Sequence, residues 1–229
     1  MGIACSGARR TQRCVWTMLL AAVLPWQAGA AEIEVVIAAQ GLPVADAVVS
    51  LHGSRPQLAK SGTRAVMDQR NNTFVPGVLP VQVDTSVAFP NGDQVRHQVY
   101  SFSPAKRFEL PLYAGVTAAP VRFDQAGVVV VGCNIHDGMI ASVVVLDTPY
   151  FVKTGPDGRA RLSAPAGDYQ LRVWHPRLLG PRGDQAVALA QGKPQRREVK
   201  LDLAPLPPPR EGADRLRALQ EKFRRIKQP

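Results

Sequence analysis

Cys133, His136 and Met139 stand at C-x-x-H-x-x-M spacing within GCNIHDGMIA (132–141). A thiolate, an imidazole and a thioether on one short link form a soft donor set. Such a set suits copper better than magnesium, calcium or manganese. A link this short holds its donors near one point but cannot reach across that point, so a second imidazole has to come from another segment. His97, in FPNGDQVRHQVYSF (89–102), is the candidate. Alternation resumes after the Asn91-Gly92-Asp93 turn, which predicts that Val95, His97 and Val99 share one face of a strand. Two imidazoles, one thiolate and a weak axial thioether make the trigonal set of a blue-copper site.

The cysteine count sharpens this reading. Cys5 and Cys14 lie in an N-terminal segment with the marks of a secretory signal peptide. Arg9, Arg10 and Arg13 precede an apolar stretch from Cys14 to Trp26, and Ala28-Gly29-Ala30 is a small-residue cleavage site. The mature chain then carries Cys133 alone. Exported proteins ordinarily pair their thiols, so a lone one calls for deep burial, intermolecular pairing, catalysis or a metal. A Cys and a His three apart on one link suit a shared metal better than attack on a substrate, and no enzyme is expected. The remaining histidines, His52 and His175, sit in a turn and at a strand end and read as structural.

Elements that could position these donors are β-strands. Two valine-rich runs, 127–131 and 142–146, bracket the ligand link. Residues 33–51 read as a hairpin-like pair of strands about Gly41-Leu42-Pro43, and 65–103 hold several short strands. A connection with one short strand, 108–112, follows. Strands are further expected at 150–153, across 159–175 and near 196–203. Pro (20) and Gly (19) are spread through the chain, as many short strands and turns require. The body is therefore read as an all-β sandwich fold.

From about 65 to 147 the chain resembles the cupredoxins, of the plastocyanin and amicyanin group. The matching residues are Phe74-Val75-Pro76, Val81 to Val87, Asn91, His97-Gln98-Val99 and VVVVGCNIHDGMIASVVV (128–145). The ligand spacing is similar to the short loop of amicyanin. Asp68-Gln69 with Phe74 and Pro76, the run HQVYSFSPAK (97–106) and GCNIHD-x-M (132–139) resemble bacterial proteins labelled methylamine utilization proteins. The resemblance implies a Greek-key sandwich, one type 1 copper, outer-sphere electron transfer between redox partner proteins and a solvent-facing His136. Two positions depart from the pattern: Val131 stands where an aromatic is usual, and Asp137 where proline follows the second histidine.

TPYFVKTGPDGRARLSAPAGDYQLRVWHP (148–176) resembles the transthyretin-like or carboxypeptidase-regulatory sandwich, which usually opens on a strand like GLPVADAVVSL (41–51). The expected organisation is a signal peptide over 1–30, a discontinuous transthyretin-like sandwich from 31–58 and 149–203, a copper domain over 64–147 inserted within it, and a Pro-rich linker with a basic tail helix over 204–229.

Net charge is +10 for the whole chain; the first thirty residues hold three Arg and no acid, leaving +7. Seven Lys/Arg against three Asp/Glu in 204–229 supply +4 of that. An acidic partner or a membrane surface is the expectation for this amphipathic tail, with Leu216, Leu219, Phe223 and Ile226 on one face. Nucleic acid is not expected of an exported, periplasmic chain. Copper delivery or storage, or a metal-free binding module, are the alternatives to electron transfer. The few Met and His of the mature chain weigh against a delivery protein with many exposed donors.

Overall fold

The computed structural model describes residues 30–54, 62–115, 119–180 and 183–206. The expected signal peptide, except Ala30, and the expected tail helix lie outside these residues. The strands are β1 (Ala30–Ala39), β2 (Leu42–Pro43), β3 (Val48–His52), β4 (Arg64–Val66), β5 (Asp68–Arg70), β6 (Thr73–Val75), β7 (Val78–Gln82), β8 (Thr85–Ala88) and β9 (His97–Ser103). They continue as β10 (Lys106–Tyr113), β11 (Val121–Phe123), β12 (Gly127–Gly132), β13 (Ile140–Leu146), β14 (Phe151–Lys153), β15 (Arg159–Pro165), β16 (Gly167–Trp174), β17 (Gln185–Leu189) and β18 (Gln195–Lys200). No helix occurs among the described residues, and the protein is all-β.

A five-stranded sheet in the order β10-β9-β12-β13-β7 and a three-stranded sheet, β11-β8-β4, enclose one core. Phe74, Phe89 and Phe123 fill it together with Met67, Val99 and Val131. Alternation along β9 is strict: His97, Val99 and Ser101 are buried, while Gln98 and Tyr100 are half-buried and Phe102 is exposed on the other face. The β5–β6 hairpin lies beside this core through Gln69 and Phe74.

A second core lies between the sheet β15-β1-β18, which β2 joins, and the sheet β14-β3-β16-β17. Ile33, Val35 and Ile37 of β1 meet Val49 and Leu51 of β3 there. The sandwiches share a seam where Val48 of β3, Val78 of β7, and Val144 and Leu146 of β13 pack with Phe151 and Trp174. β13 therefore sends Val143 and Val145 into one core and Val144 and Leu146 into the seam. Burial on both faces is why 143–146 is a continuous apolar run and 48–51 shows little alternation.

Three elements differ from the sequence-based expectation. β1 turns back only through the two residues of β2; β3 instead pairs with β14 and β16. The chain changes sheets at 44–47, where Asp46 is left-handed (φ +58°). Thr154 Oγ1 holds that crossing, accepting from Ala47 N–H (2.9 Å) and donating to the Val44 carbonyl (2.7 Å). β17, QAVAL, was not expected: two alanines give it little strand propensity, and pairing with β16 holds it. β10 is longer than the expected 108–112 because β9 pairs along most of its length.

Candidate metal centre

β12 and β13 pair antiparallel up to Gly132 opposite Ile140, and the link Cys133–Met139 closes the hairpin. Cys133 N–H donates to the Met139 carbonyl and Met139 N–H to the His136 carbonyl, both at 3.1 Å. Gly138, at φ +75°, permits this tight return, since a Cβ is disfavoured there. Cys133 and Met139 are buried in the core shared with Phe74 and Val99, whereas His136 is half-buried.

His97 opens β9 and has no exposed surface. Val95, expected on the same buried face, is exposed: it precedes the strand, and its carbonyl accepts from Asn91 Nδ2 at 2.9 Å. The His97 ring reaches the link directly. Its Nδ1 lies 3.0 Å from His136 Nδ1 and 3.9 Å from Cys133 Sγ, and His136 Nδ1 lies 3.7 Å from the same sulfur. Ligand atoms of His97, Cys133 and His136 thus fall within 4.8 Å of one another.

The chemistry of this triangle can be tested from its edges. A point equidistant from the three atoms lies about 2.1 Å from each, within the ~2.0–2.3 Å that a first-row ion such as zinc keeps from imidazole nitrogen and thiolate sulfur. The donors therefore fit a bound metal ion without moving apart. Two imidazoles and a thiolate with a neighbouring thioether are the set typical of a type 1 copper site.

Residues given no role at the site from sequence lie around His97. Its Nε2 lies 2.8 Å from Asp93 Oδ2. Desolvation pulls the Asp93 carboxyl upward, but the Asn72 and Asn71 N–H groups and His97 outweigh it and hold it below the usual carboxylate range. Tyr113 pairs across the sheet with His97. Burial chiefly, with charge at Cys133 adding, pushes its hydroxyl up to about 12, so it stays protonated and donates to the Phe89 carbonyl. Gln69, fully buried, donates to Tyr113 Oη and to the Pro90 carbonyl. A carboxylate four residues before a histidine in NGDQVRH was the one signal that could have marked Asp93; Gln69 was quoted within a resemblance motif but with no role, and nothing local marks Tyr113.

A second polar array lies at the seam. His52 Nε2 is 2.9 Å from Ser50 Oγ, and His52 Nδ1 is 2.8 Å from Asp147 Oδ1. The order resembles a hydrolytic triad, but Ser50 lies on a strand paired at both edges, so its N–H serves the sheet and not an oxyanion. His175 is buried and accepts from Arg177 N–H at 3.2 Å.

No family model and no curated protein matches this chain. Among solved structures it is similar to a purple cupredoxin from Nitrosopumilus maritimus, at 22% identity and a TM-score of 0.32, over 37% of this chain and 99% of that one. It is similar to a proline-to-phenylalanine mutant of amicyanin in its reduced state, at 22% identity and a TM-score of 0.33, over 43% and 98% respectively. It is also similar to a copper-containing nitrite reductase from Thermus scotoductus SA-01, at 20% identity and a TM-score of 0.34, over 48% of this chain and 28% of that one.

Proposed function

We propose that this chain is an exported, periplasmic copper protein that passes single electrons between redox partner proteins. The observation that carries this reading is the triangle of His97 Nδ1, His136 Nδ1 and Cys133 Sγ, whose edges fit one first-row ion. His97, Cys133, His136 and Met139 would hold copper through two imidazoles, a thiolate and a thioether. Copper so held supplies the Cu(I)/Cu(II) couple.

The residues perform the rest. Cys133 and His97 lie in a dry core, which excludes competing ligands and keeps the donors from rearranging with charge state. His136 is the most exposed of the three and is the edge through which a partner's electron would enter or leave. Burial of the thiolate and of one imidazole favours a carrier over a protein that hands its copper on, since delivery needs accessible donors.

Residues 31–58 and 149–203 form, in this reading, a transthyretin-like sandwich that supports the copper domain of 64–147. Its support is the pairing of β3 with β14 and β16, and of β1 with β15 and β18. Asp68-Gln69, HQVYSFSPAK (97–106) and GCNIHD-x-M support kinship with the bacterial methylamine utilization group. The basic tail over 204–229 is assigned to an acidic partner or membrane surface.

The test is copper(II) reconstitution followed by visible and EPR spectroscopy. An intense thiolate-to-copper band is expected, and Cys133→Ser should abolish it. A band that survives Cys133→Ser rules out the assignment.

A further inference from the structure

His97 is enclosed on every side, so the proton on its imidazole is decided by the two groups that its nitrogens face. Nδ1 faces Cys133 and His136. Nε2 faces the Asp93 carboxylate at 2.8 Å. That carboxylate is itself fixed. Its Oδ1 accepts from Asn71 N–H (2.6 Å) and its Oδ2 from Asn72 N–H (3.0 Å). Both asparagines are left-handed, at φ +53° and +54°, and so turn successive amides toward one point. Asp93 N–H donates to Asn91 Oδ1 at 3.0 Å, and Asn91 Nδ2 donates to the carbonyls of Val95 and Tyr113, each at 2.9 Å. The frame joins the β5–β6 turn, the 91–95 loop and the end of β10 around one imidazole.

A carboxylate can only accept here, so Nε2 carries the proton and Nδ1 presents its lone pair to the donor cluster. Negative charge delivered through this hydrogen bond makes the imidazole a stronger electron donor to a bound ion. A stronger donor favours the more highly charged state of a bound metal. The backbone carbonyl or water that can also fill this place would fix the same tautomer but bring no full charge.

We propose that Asp93 is a positioning residue for the copper centre, holding His97 as its Nε2–H tautomer and biasing the site toward Cu(II), hence toward a lower reduction potential. The inference rests on the copper reading, but its first test does not. Nitrogen-15 NMR of the metal-free protein, at mildly alkaline pH, reports which ring nitrogen of His97 is protonated. The Nε2–H tautomer is expected, and an Nδ1–H tautomer overturns the proposal whether or not copper binds.

The second test titrates the potential of copper-loaded wild type, Asp93→Asn and Asp93→Glu. Asp93→Asn should keep the thiolate band while the ratio of Cu(I) to Cu(II) affinity rises about tenfold or more, read as a higher midpoint. Asp93→Glu, which keeps the charge, should recover part of that change. Band retained with an unmoved midpoint in Asp93→Asn refutes the role of Asp93. Absence of the band in wild type refutes the copper reading instead, and leaves the NMR result standing. If Asp93→Asn does not fold by far-ultraviolet circular dichroism, the tautomer in wild type decides.

Discussion

Gly158→Ala probes how the split segments of the second sandwich are joined. Gly158 lies in the turn between β14 and β15 at φ +70°, and a Cβ there would stand 2.5 Å from the Ile37 carbonyl oxygen and 3.0 Å from Val44 N. Carbon seldom comes closer than about 3.3 Å to a carbonyl oxygen, so backbone must give by about 0.8 Å. What gives carries the join itself: Ile37 N–H donates to the Gly158 carbonyl (2.7 Å), and Val44 N–H to the Ile37 carbonyl (3.0 Å). The left-handed conformation costs a residue with a Cβ roughly 1–2 kcal/mol, and a weakened buried hydrogen bond about 1 more. Together these give about 2–3 kcal/mol, or a fall in Tm of roughly 10–20 °C for a domain of this size. Thermal unfolding by circular dichroism reads the fall, and the visible band of the copper-loaded variant should match wild type because the clash lies outside the first core. A Tm within about 2 °C of wild type would show that segments 31–58 and 149–203 do not depend on each other there.

Met139→Leu should retain the charge-transfer band and raise the midpoint potential, as expected if a weakly bound thioether tunes the couple while the thiolate gives the colour. Complete loss of copper by equilibrium dialysis would instead give Met139 a larger share of the binding. Stability should also depend on pH through two histidines. Burial and then Arg172 hold His52 below the usual histidine range, and burial and then Arg177 hold His175 below it. Both take up protons more readily in the unfolded chain, so stability is complete above about pH 6.5 and falls as the pH drops through that value. The Tm of wild type should therefore decline toward pH ~5.5, and a His52→Asn, His175→Asn double variant should decline less over the same interval; equal declines would contradict the assignment.

The ligand link was legible because its chemistry is local. A lone thiol, an imidazole and a thioether three residues apart between two valine runs need no distant information to be read as a donor set. The all-β class was legible for a similar reason, since turn residues and alternation repeat along the chain. His97 could be nominated because alternation placed an imidazole among apolar residues, although Val95, nominated with it, lies outside the strand. β17 escaped notice because alanine at two of five positions leaves a weak pattern, and its place depends on β16 beside it.

By itself, then, the sequence determined which atoms could bind a soft metal, and that strands would carry them. Only the tertiary structure decided that His97 Nδ1 stands 3.0 Å from His136 Nδ1, that Asp93 closes on the far nitrogen, and that β3 leaves β1 for another sheet. Asp93 is only four positions from His97, but the Asn71 and Asn72 amides that fix its carboxylate, like His136 and the partners of β3, come from distant segments, and sheet pairing across the core, not local preference, brings such residues within reach of a hydrogen bond or a metal.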